Sequence, residues 1–189
     1  MEKLPGAYIT GFVDGEGCFA LSFRRDVRHE RGKRSGKKPV YFYWKAQFVI
    51  VLRNDDKKLI ERIKKSLDCG SISFTRNQIR YQVSSLDDLK NKIAPFFFRY
   101  GLQSKKREDF ILWSKAIEIL NKYKIRRNIQ RDGVNRKSGE RGFYRVKWDQ
   151  KDLHQLMEVH HKMLIYKSSK TNQAKWINRA RYVGRENHD

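Results

Sequence analysis

The chain has 189 residues, with 43 Lys+Arg against 21 Asp+Glu and a formal net charge of +22. A hydrophobic fraction of 39% with 13% aromatics excludes a disordered basic tail and suits one domain with its own core, alone or with a small appendage. No apolar run approaches the roughly 20 residues of a membrane span, and Met1–Gly6 carries no signal-peptide core, so no membrane partner is expected. Cys18 and Cys69 have no CxxC neighbour, which excludes a zinc ribbon or finger. They fit a reducing intracellular compartment, either a prokaryotic cytoplasm or an organelle. The surplus of positive charge calls for a polyanionic partner, nucleic acid first. The plain alternative is a ribosome-associated basic protein.

In chain order, Pro5 to Val13 reads as a short helix with Pro5 at its first position. Ala7, Gly11 and Gly15 recur every fourth residue and line one face. Interior glycines each cost about 1 kcal/mol relative to alanine, so such a face calls for a close backbone approach. Alternatively, Gly15 and Gly17 simply end the helix. From Cys18 the period changes to two: Phe19, Leu21 and Phe23 alternate with Ala20, Ser22 and Arg24, as in a half-buried strand. The stretch Arg24 to Lys38 carries eight Lys/Arg and two acids and reads as a hairpin tip. A second strand runs from Val40 to Arg53, with Phe42, Trp44, Ala46, Phe48, Ile50 and Leu52 facing the core.

Asn54 or Asp55 caps a helix to Leu67. A second hairpin places Ile72 and Phe74, then Ile79, Tyr81 and Val83, on the core side. Ser85 opens a helix toward Pro95-Phe96, and Ser104 opens another in which Phe110, Trp113, Ile117 and Leu120 repeat at helical spacing. The first 123 residues thus read α-β-β-α-β-β-α-α, an α+β architecture with antiparallel hairpins and the helices on one face. The other sheet face is polar, basic and aromatic. Lys122 to Lys147 holds ten Lys/Arg against two acids. Asp149 caps a further helix to Met163, and a short last helix surrounds Trp176. The expected division is a domain over 1–123, a basic linker over 124–148 and a C-terminal helical extension over 149–189. His160-His161 reads as part of a helix surface.

The most informative stretch is Ile9-Thr10-Gly11-Phe12-Val13-Asp14-Gly15-Glu16-Gly17. Two acids end a small-residue helix, where they face the negative end of the dipole and call for a neutralising cation. Solvated turn carboxylates are the bland reading. Phosphodiester hydrolysis at such a site needs oxygen ligands for a divalent cation and a nearby lysine to hold phosphoryl charge.

In these residues the chain resembles the LAGLIDADG homing endonucleases, in a variant ending in DGEG. Phe48-Val49-Ile50-Val51-Leu52-Arg53-Asn54-Asp55-Asp56 is similar to the family's strand-to-helix junction. Pro95 to Lys106, followed by Asp109-Phe110 and Trp113, is similar to its "PLxxKK" region. The likeness runs from Tyr8 to Leu120 and implies an αββαββα core with a saddle-shaped antiparallel sheet. It also implies that two motif helices pack through Ala7, Gly11 and Gly15. Glu16 and the Gly15 carbonyl are then ligands of Mg²⁺ or another divalent cation. Asp14 matches the motif's other acid, grouped with the catalytic set but used more for helix ends and the interface. Either Lys105 or Lys106 is the lysine near the scissile phosphate. Many relatives carry a glutamine just before the second-strand helix junction, where it arranges waters. This chain has Leu52-Arg53 there.

The implied activity is metal-dependent double-strand cleavage of DNA at a long pseudo-palindromic site. One motif per chain implies a homodimer. The ribbons offer Ser22, Arg24, Arg28, Tyr41, Tyr43, Lys45 and Gln47, then Ser73, Thr75, Gln78, Arg80 and Gln82, to the major groove. The tip residues Arg31, Lys33, Arg34, Lys37 and Lys38 suit phosphates. The competing reading is an RNA maturase or a non-cleaving DNA-binding protein on the same scaffold.

Overall fold

The computed structural model describes residues 2–27, 40–132 and 148–165, with side chains over 2–24, 43–124 and 148–165. The Arg28 side chain, the basic tip over 28–39 and the expected helix around Trp176 lie outside the described residues, and the Tyr41 side chain lies outside the described side chains. The elements run α1 (Gly6–Glu16), β1 (Gly17–Val27), β2 (Val40–Arg53), a 3-10 turn (Asn54–Asp56), α2 (Lys57–Leu67), β3 (Ser71–Phe74), β4 (Gln78–Val83), α3 (Leu86–Asp88), a π-helical turn (Leu89–Ile93), α4 (Ala94–Tyr100), α5 (Lys106–Asp132) and α6 (Gln150–Leu164). The sheet order is β1-β2-β4-β3, with β4 antiparallel to both its neighbours. This is the α+β arrangement that the alternation of periods predicts.

Two compact units emerge. The first comprises Met1–Leu21 and Ala46–Asn121. Phe19 is its hub: its ring lies 5.3 Å from Phe48, 5.3 Å from Phe97, 5.2 Å from Phe110 and 5.0 Å from Trp113. The sheet residues that face this cluster are those with the predicted alternation, including Phe48, Ile50, Ile79, Tyr81 and Val83, all buried. The Trp113 indole N–H donates to the Ala20 carbonyl at 3.2 Å, so the fully buried ring keeps its one polar atom paired. Phe74 departs from the pattern: it is 56% exposed at the end of edge strand β3, and Lys57 lies over its ring at 5.5 Å.

Several boundaries differ from expectation for local reasons. Helix α1 continues through Asp14-Gly15 to Glu16 rather than ending at Val13, and Pro5 is its N-cap. Asn54 does not cap α2. Its amide instead donates to the Thr75 and Arg76 carbonyls at 3.1 and 2.9 Å, tying the strand–helix junction to the β3–β4 turn. Ser85 does cap α3, accepting from the Asp88 N–H at 3.4 Å. The helix that runs toward Pro95-Phe96 continues through them: the Ala94 N–H reaches back to the Leu89 carbonyl in a π turn, and Pro95 stands in the first turn of α4. That wider turn accommodates a proline that has no N–H to continue the regular ladder. Gly101, at φ 63°, then ends α4.

The second unit comprises Ser22–Lys45 and Lys122–Asp189. Within it Trp44 packs at 5.1 Å against Phe23 and at 5.3 Å against His160. His160 is therefore a core residue, 1% exposed, and not the surface histidine expected, while His161 is exposed. The α6 stripe of Leu153, Leu156, Val159 and Met163 buries alongside it. Asp149 caps α6 as expected, accepting from Lys151 N–H at 2.8 Å. The Tyr123 hydroxyl accepts from Asp149 N–H at 2.8 Å and donates to the Asp152 carboxylate at 3.0 Å. Helix α5 continues to Asp132, so residues 124–132 are helical.

Candidate active site

Helix α1 ends in Asp14, Gly15 and Glu16 with no basic residue in its last turn. Its C-terminal carbonyls and two carboxylates concentrate negative charge at one point. The compensating cation comes from α5. The Lys106 ammonium donates to the Val13 carbonyl at 2.8 Å and to the Gly15 carbonyl at 3.1 Å. Burial lowers the Lys106 pKa from the ordinary lysine value, opposed by Cys18, Asp14, Glu16 and Asp109 in that order. The structure thus separates the two candidate lysines: Lys106 sits at the motif end, whereas Lys105 is exposed in the turn before α5.

Asp14 holds Lys106 in place. Its carboxylate accepts from the Gln103 N–H at 2.8 Å, the Ser104 N–H at 3.4 Å and the Ser104 hydroxyl at 2.8 Å. The Ser104 hydroxyl in turn accepts from Lys106 N–H at 3.1 Å. The start of α5 is therefore fixed by a carboxylate on α1. Glu16, one step beyond Gly15, is exposed. The two acids of the motif have divided roles: one is spent on backbone N–H groups, the other faces outward.

The glycine face is open. Ala7, Gly11 and Gly15 are exposed, and a Cβ built on Gly11 or Gly15 meets nothing within 4 Å. Gly6 differs, because a Cβ there would collide with the Tyr100 ring of α4. The opposite face buries Ile9, Thr10 and Val13.

The polar sheet face is built in rows. Register pairs Gln82 with Val49 and Ser71, Arg80 with Val51 and Ser73, and Gln78 with Arg53. Ser73, Thr75 and Gln78 are exposed, and Arg80 and Gln82 half-buried. The Arg80 Nε donates to the Gln82 amide oxygen at 3.1 Å. Thr75 is partly spent on the turn, exchanging hydrogen bonds with Gln78 at 3.2 Å. Gln47 is only 4% exposed and is not a surface contact. In the second unit Ser22 is 5% exposed; its hydroxyl donates to the Lys45 carbonyl at 3.4 Å and accepts from Arg24 Nε at 3.2 Å. Ser22 therefore orients Arg24. Tyr43 is exposed and Lys45 half-buried.

Arg53 was missed as a face residue. It alternates with Lys45, Gln47, Val49 and Val51, and is exposed beside Gln78, with an ion pair to Asp55 at 3.3 Å. The period-two count alone would have found it.

Among the described residues no group of three or more His, Cys, Asp or Glu side chains is placed to hold a metal ion. The oxygens at the motif end are the Glu16 carboxylate and the Gly15 carbonyl, the latter already accepting from Lys106 at 3.1 Å. An all-oxygen set with few protein ligands suits Mg²⁺, which keeps most of its waters.

The family model described as LAGLIDADG endonuclease matches residues 9–117, from the motif helix to the middle of α5. The chain belongs to the LAGLIDADG endonuclease family. A 50.9 kDa protein in ND4 intron 1 of Podospora anserina is 34% identical over 123 residues, which is 64% of this chain and 25% of that protein. The chain thus spans about a quarter of that relative's length. Among solved structures, the homing endonuclease I-TnaI aligns at a TM-score of 0.64 with 19% identity, over 95% of this chain and all of the other (100%). The LAGLIDADG meganuclease I-AabMI, bound to uncleaved DNA, aligns at 0.53 with 29% identity, over 68% of this chain and 42% of the other. Among the described residues no helix is long and apolar enough to cross a membrane.

Proposed function

We propose that this LAGLIDADG chain is an intron-associated homing endonuclease. In this reading it hydrolyses both strands of a long pseudo-palindromic DNA site as a homodimer, with Mg²⁺ or another divalent cation. One observation carries the reading: the Lys106 ammonium binds the Val13 and Gly15 carbonyls at the end of a helix that Glu16 terminates and whose small-residue face is open. Family membership and a DNA-bound relative at 29% identity support the substrate.

Glu16 and the Gly15 carbonyl would hold the metal, whose chemistry is to acidify a bound water and to neutralise phosphoryl charge. Lys106 holds positive charge where the scissile phosphate would lie and stabilises the charge gained during in-line displacement. Lys105, exposed in the turn, takes an outer phosphate. Asp14 orients both lysines through Gln103 and Ser104 and touches no reacting atom. One Glu16 and one Gly15 per chain make half of a two-strand site, and a second copy packed through Ala7, Gly11 and Gly15 supplies the other half.

The exposed rows of the sheet bring donors and acceptors to base edges. Arg80 suits guanine, and Gln78 and Gln82 suit adenine. Ser73, Thr75, Tyr43, Lys45 and Arg24, with Arg28 and Tyr41, extend the contact along the ribbons. Glu16→Gln should retain DNA binding and lose cleavage in Mg²⁺. Cleavage at the wild-type rate in that variant overturns the reading. Intron splicing that survives Glu16→Gln, with no DNA cutting by the wild type, would instead favour the maturase alternative.

A further inference from the structure

A cleft of about 400 Å³ opens at the other end of the motif helix, bounded by the segment before α1, the end of α2, and α4. Its volume falls in the range of small-molecule sites. Lys3, Lys92 and Arg99 line it, from three separate stretches of chain, and no acid lines it. Outside the lining, the Asp68 carboxylate pairs with Lys92 at 2.9 Å and lies within electrostatic reach of Lys3. The Arg99 guanidinium lies 5.4 Å from the Tyr100 ring centroid, which limits its rotamers. The remaining wall is apolar and aromatic, with Leu4, Leu67, Pro95 and Phe96.

Like charges brought together repel, and side chains on flexible stems would otherwise spread into solvent. Here the backbone brings Lys3 and Arg99 to one apolar-floored hollow, with Lys92 at its edge paired to Asp68. A phosphate satisfies the cations by charge-assisted hydrogen bonds, and a planar base suits the apolar wall. Helix α1 has 11 residues, so about 15 Å of helix separates this cleft from Glu16. The cleft therefore does not serve the scissile phosphate.

We propose that the cleft is a second, nucleotide-binding site. Lys3 and Arg99 receive the phosphate beside the Asp68–Lys92 pair, and Phe96 with its apolar neighbours receives the base. The ligand chemistry is a nucleoside phosphate, either a free nucleotide or one unit of a single strand held away from the cleavage face. The assignment goes beyond the endonuclease reading and does not depend on it.

The test uses the full chain and two charge-reversal pairs of equal net charge. Lys3→Glu/Arg99→Glu alters the cleft, whereas Lys58→Glu/Lys115→Glu alters exposed lysines of α2 and α5 that do not line it. Binding of AMP and of a labelled ten-nucleotide single-stranded RNA is measured by calorimetry and anisotropy. The expected result is saturable AMP binding, weakened at least tenfold by the cleft pair and less than twofold by the control pair. A single strand bound far more tightly than AMP identifies a strand as the source, and equal affinities identify a free nucleotide. Equal weakening by the two pairs would mean bulk charge only and overturn the site, as would no saturable AMP binding. Should Lys3→Glu/Arg99→Glu fail to fold, amide shifts of Leu4, Ser66 and Tyr100 on AMP addition to the wild type decide. Shifts absent from those residues overturn the proposal equally.

Discussion

The Lys106 ammonium bridges the Val13 and Gly15 carbonyls at 2.8 and 3.1 Å, so α5 supplies the cation that the end of α1 lacks. Under the endonuclease reading this fixes which lysine matters. Lys106→Met should lower the cleavage rate by about 10²-fold or more, as for other removed transition-state donors. It should also cost about 1–3 kcal/mol of stability, because two carbonyls lose a charged donor. Lys105→Met should change the rate less than tenfold and leave the unfolding midpoint unchanged. Single-turnover cleavage and urea unfolding of the two variants measure both effects. Equal rate losses would contradict the assignment.

Asp14 and Ser104 form a cap that crosses between helices. Asp14→Ala removes the acceptor of three hydrogen bonds, at 2.8, 3.4 and 2.8 Å. The loss should be about 1–2 kcal/mol, as for a strong N-cap. Ser104→Ala should cost less alone, and the two effects should not add, because both remove the same contact. A double-mutant cycle by chemical unfolding gives the coupling. If the single effects sum, the cap is not cooperative. Asp14→Asn would keep one acceptor and fall between.

Much of this arrangement was legible in the sequence. Period two in Phe19, Leu21 and Phe23, and helical spacing in Phe110, Trp113 and Ile117, are local consequences of burying one face, so they survive folding unchanged. The acid-ended glycine helix was equally visible. What was hidden were the contacts that sequence distance conceals. Asn54 has the composition of a helix cap, yet its side-chain NH₂ donates to two carbonyls of the nearby β3–β4 turn, which holds the side chain on that turn rather than over the helix N–H groups. His160 looks polar but packs against Trp44, which only the meeting of α6 with a strand of its own unit reveals. That Lys106 rather than Lys105 meets the end of α1 depends on the rotation of α5 about its axis, which the Asp14–Ser104 bond helps fix from about 90 residues away.

The open glycine face separates two effects of the same substitution. A Cβ on Gly11 meets nothing within the chain. Gly11→Ala should therefore stabilise the isolated chain by up to about 1 kcal/mol through helix propensity. Under the homodimer reading, Gly11→Phe should leave the chain folded but block close helix approach, and with it dimerisation and cutting. Sedimentation equilibrium and thermal unfolding separate the two quantities. A Gly11→Phe chain that stays dimeric would place the interface elsewhere. Gly6→Ala is the contrasting control: it should destabilise the chain, since its Cβ runs into the Tyr100 ring.

Under the endonuclease reading the sheet rows would set base specificity. Arg80 stands between Ser73 and Val51, steadied by the Gln82 amide at 3.1 Å. Arg80→Ala should weaken binding to the preferred site by about 1–3 kcal/mol and relax the requirement at one or two base pairs. Gln82→Ala should lower specificity at the same position through the freed guanidinium. Selection from a randomised duplex library, compared between variants, measures this. An unchanged base profile for Arg80→Ala would mean that the face contacts only phosphates.

The Asp68–Lys92 pair gives a pH dependence with a definite sign. The Lys92 side chain, by hydrogen bond first and by charge second, holds the Asp68 carboxyl below its ordinary range. The same bond raises Lys92. In the unfolded chain Asp68 titrates near ~3.9. A carboxylate with a depressed folded pKa adds stability that is fully present above the unfolded value. That stability is lost as pH falls through the lower folded value. Wild type should therefore exceed Asp68→Asn in unfolding midpoint at pH 7, and the gap should shrink steadily below about pH 4. The pair is exposed at both ends, so the gap should be small and should narrow further in 1 M salt. Urea unfolding of both chains at pH 7, 4 and 2.5 measures it. A gap that widens toward acid would show that the Asp68 carboxyl titrates above its unfolded value rather than below it.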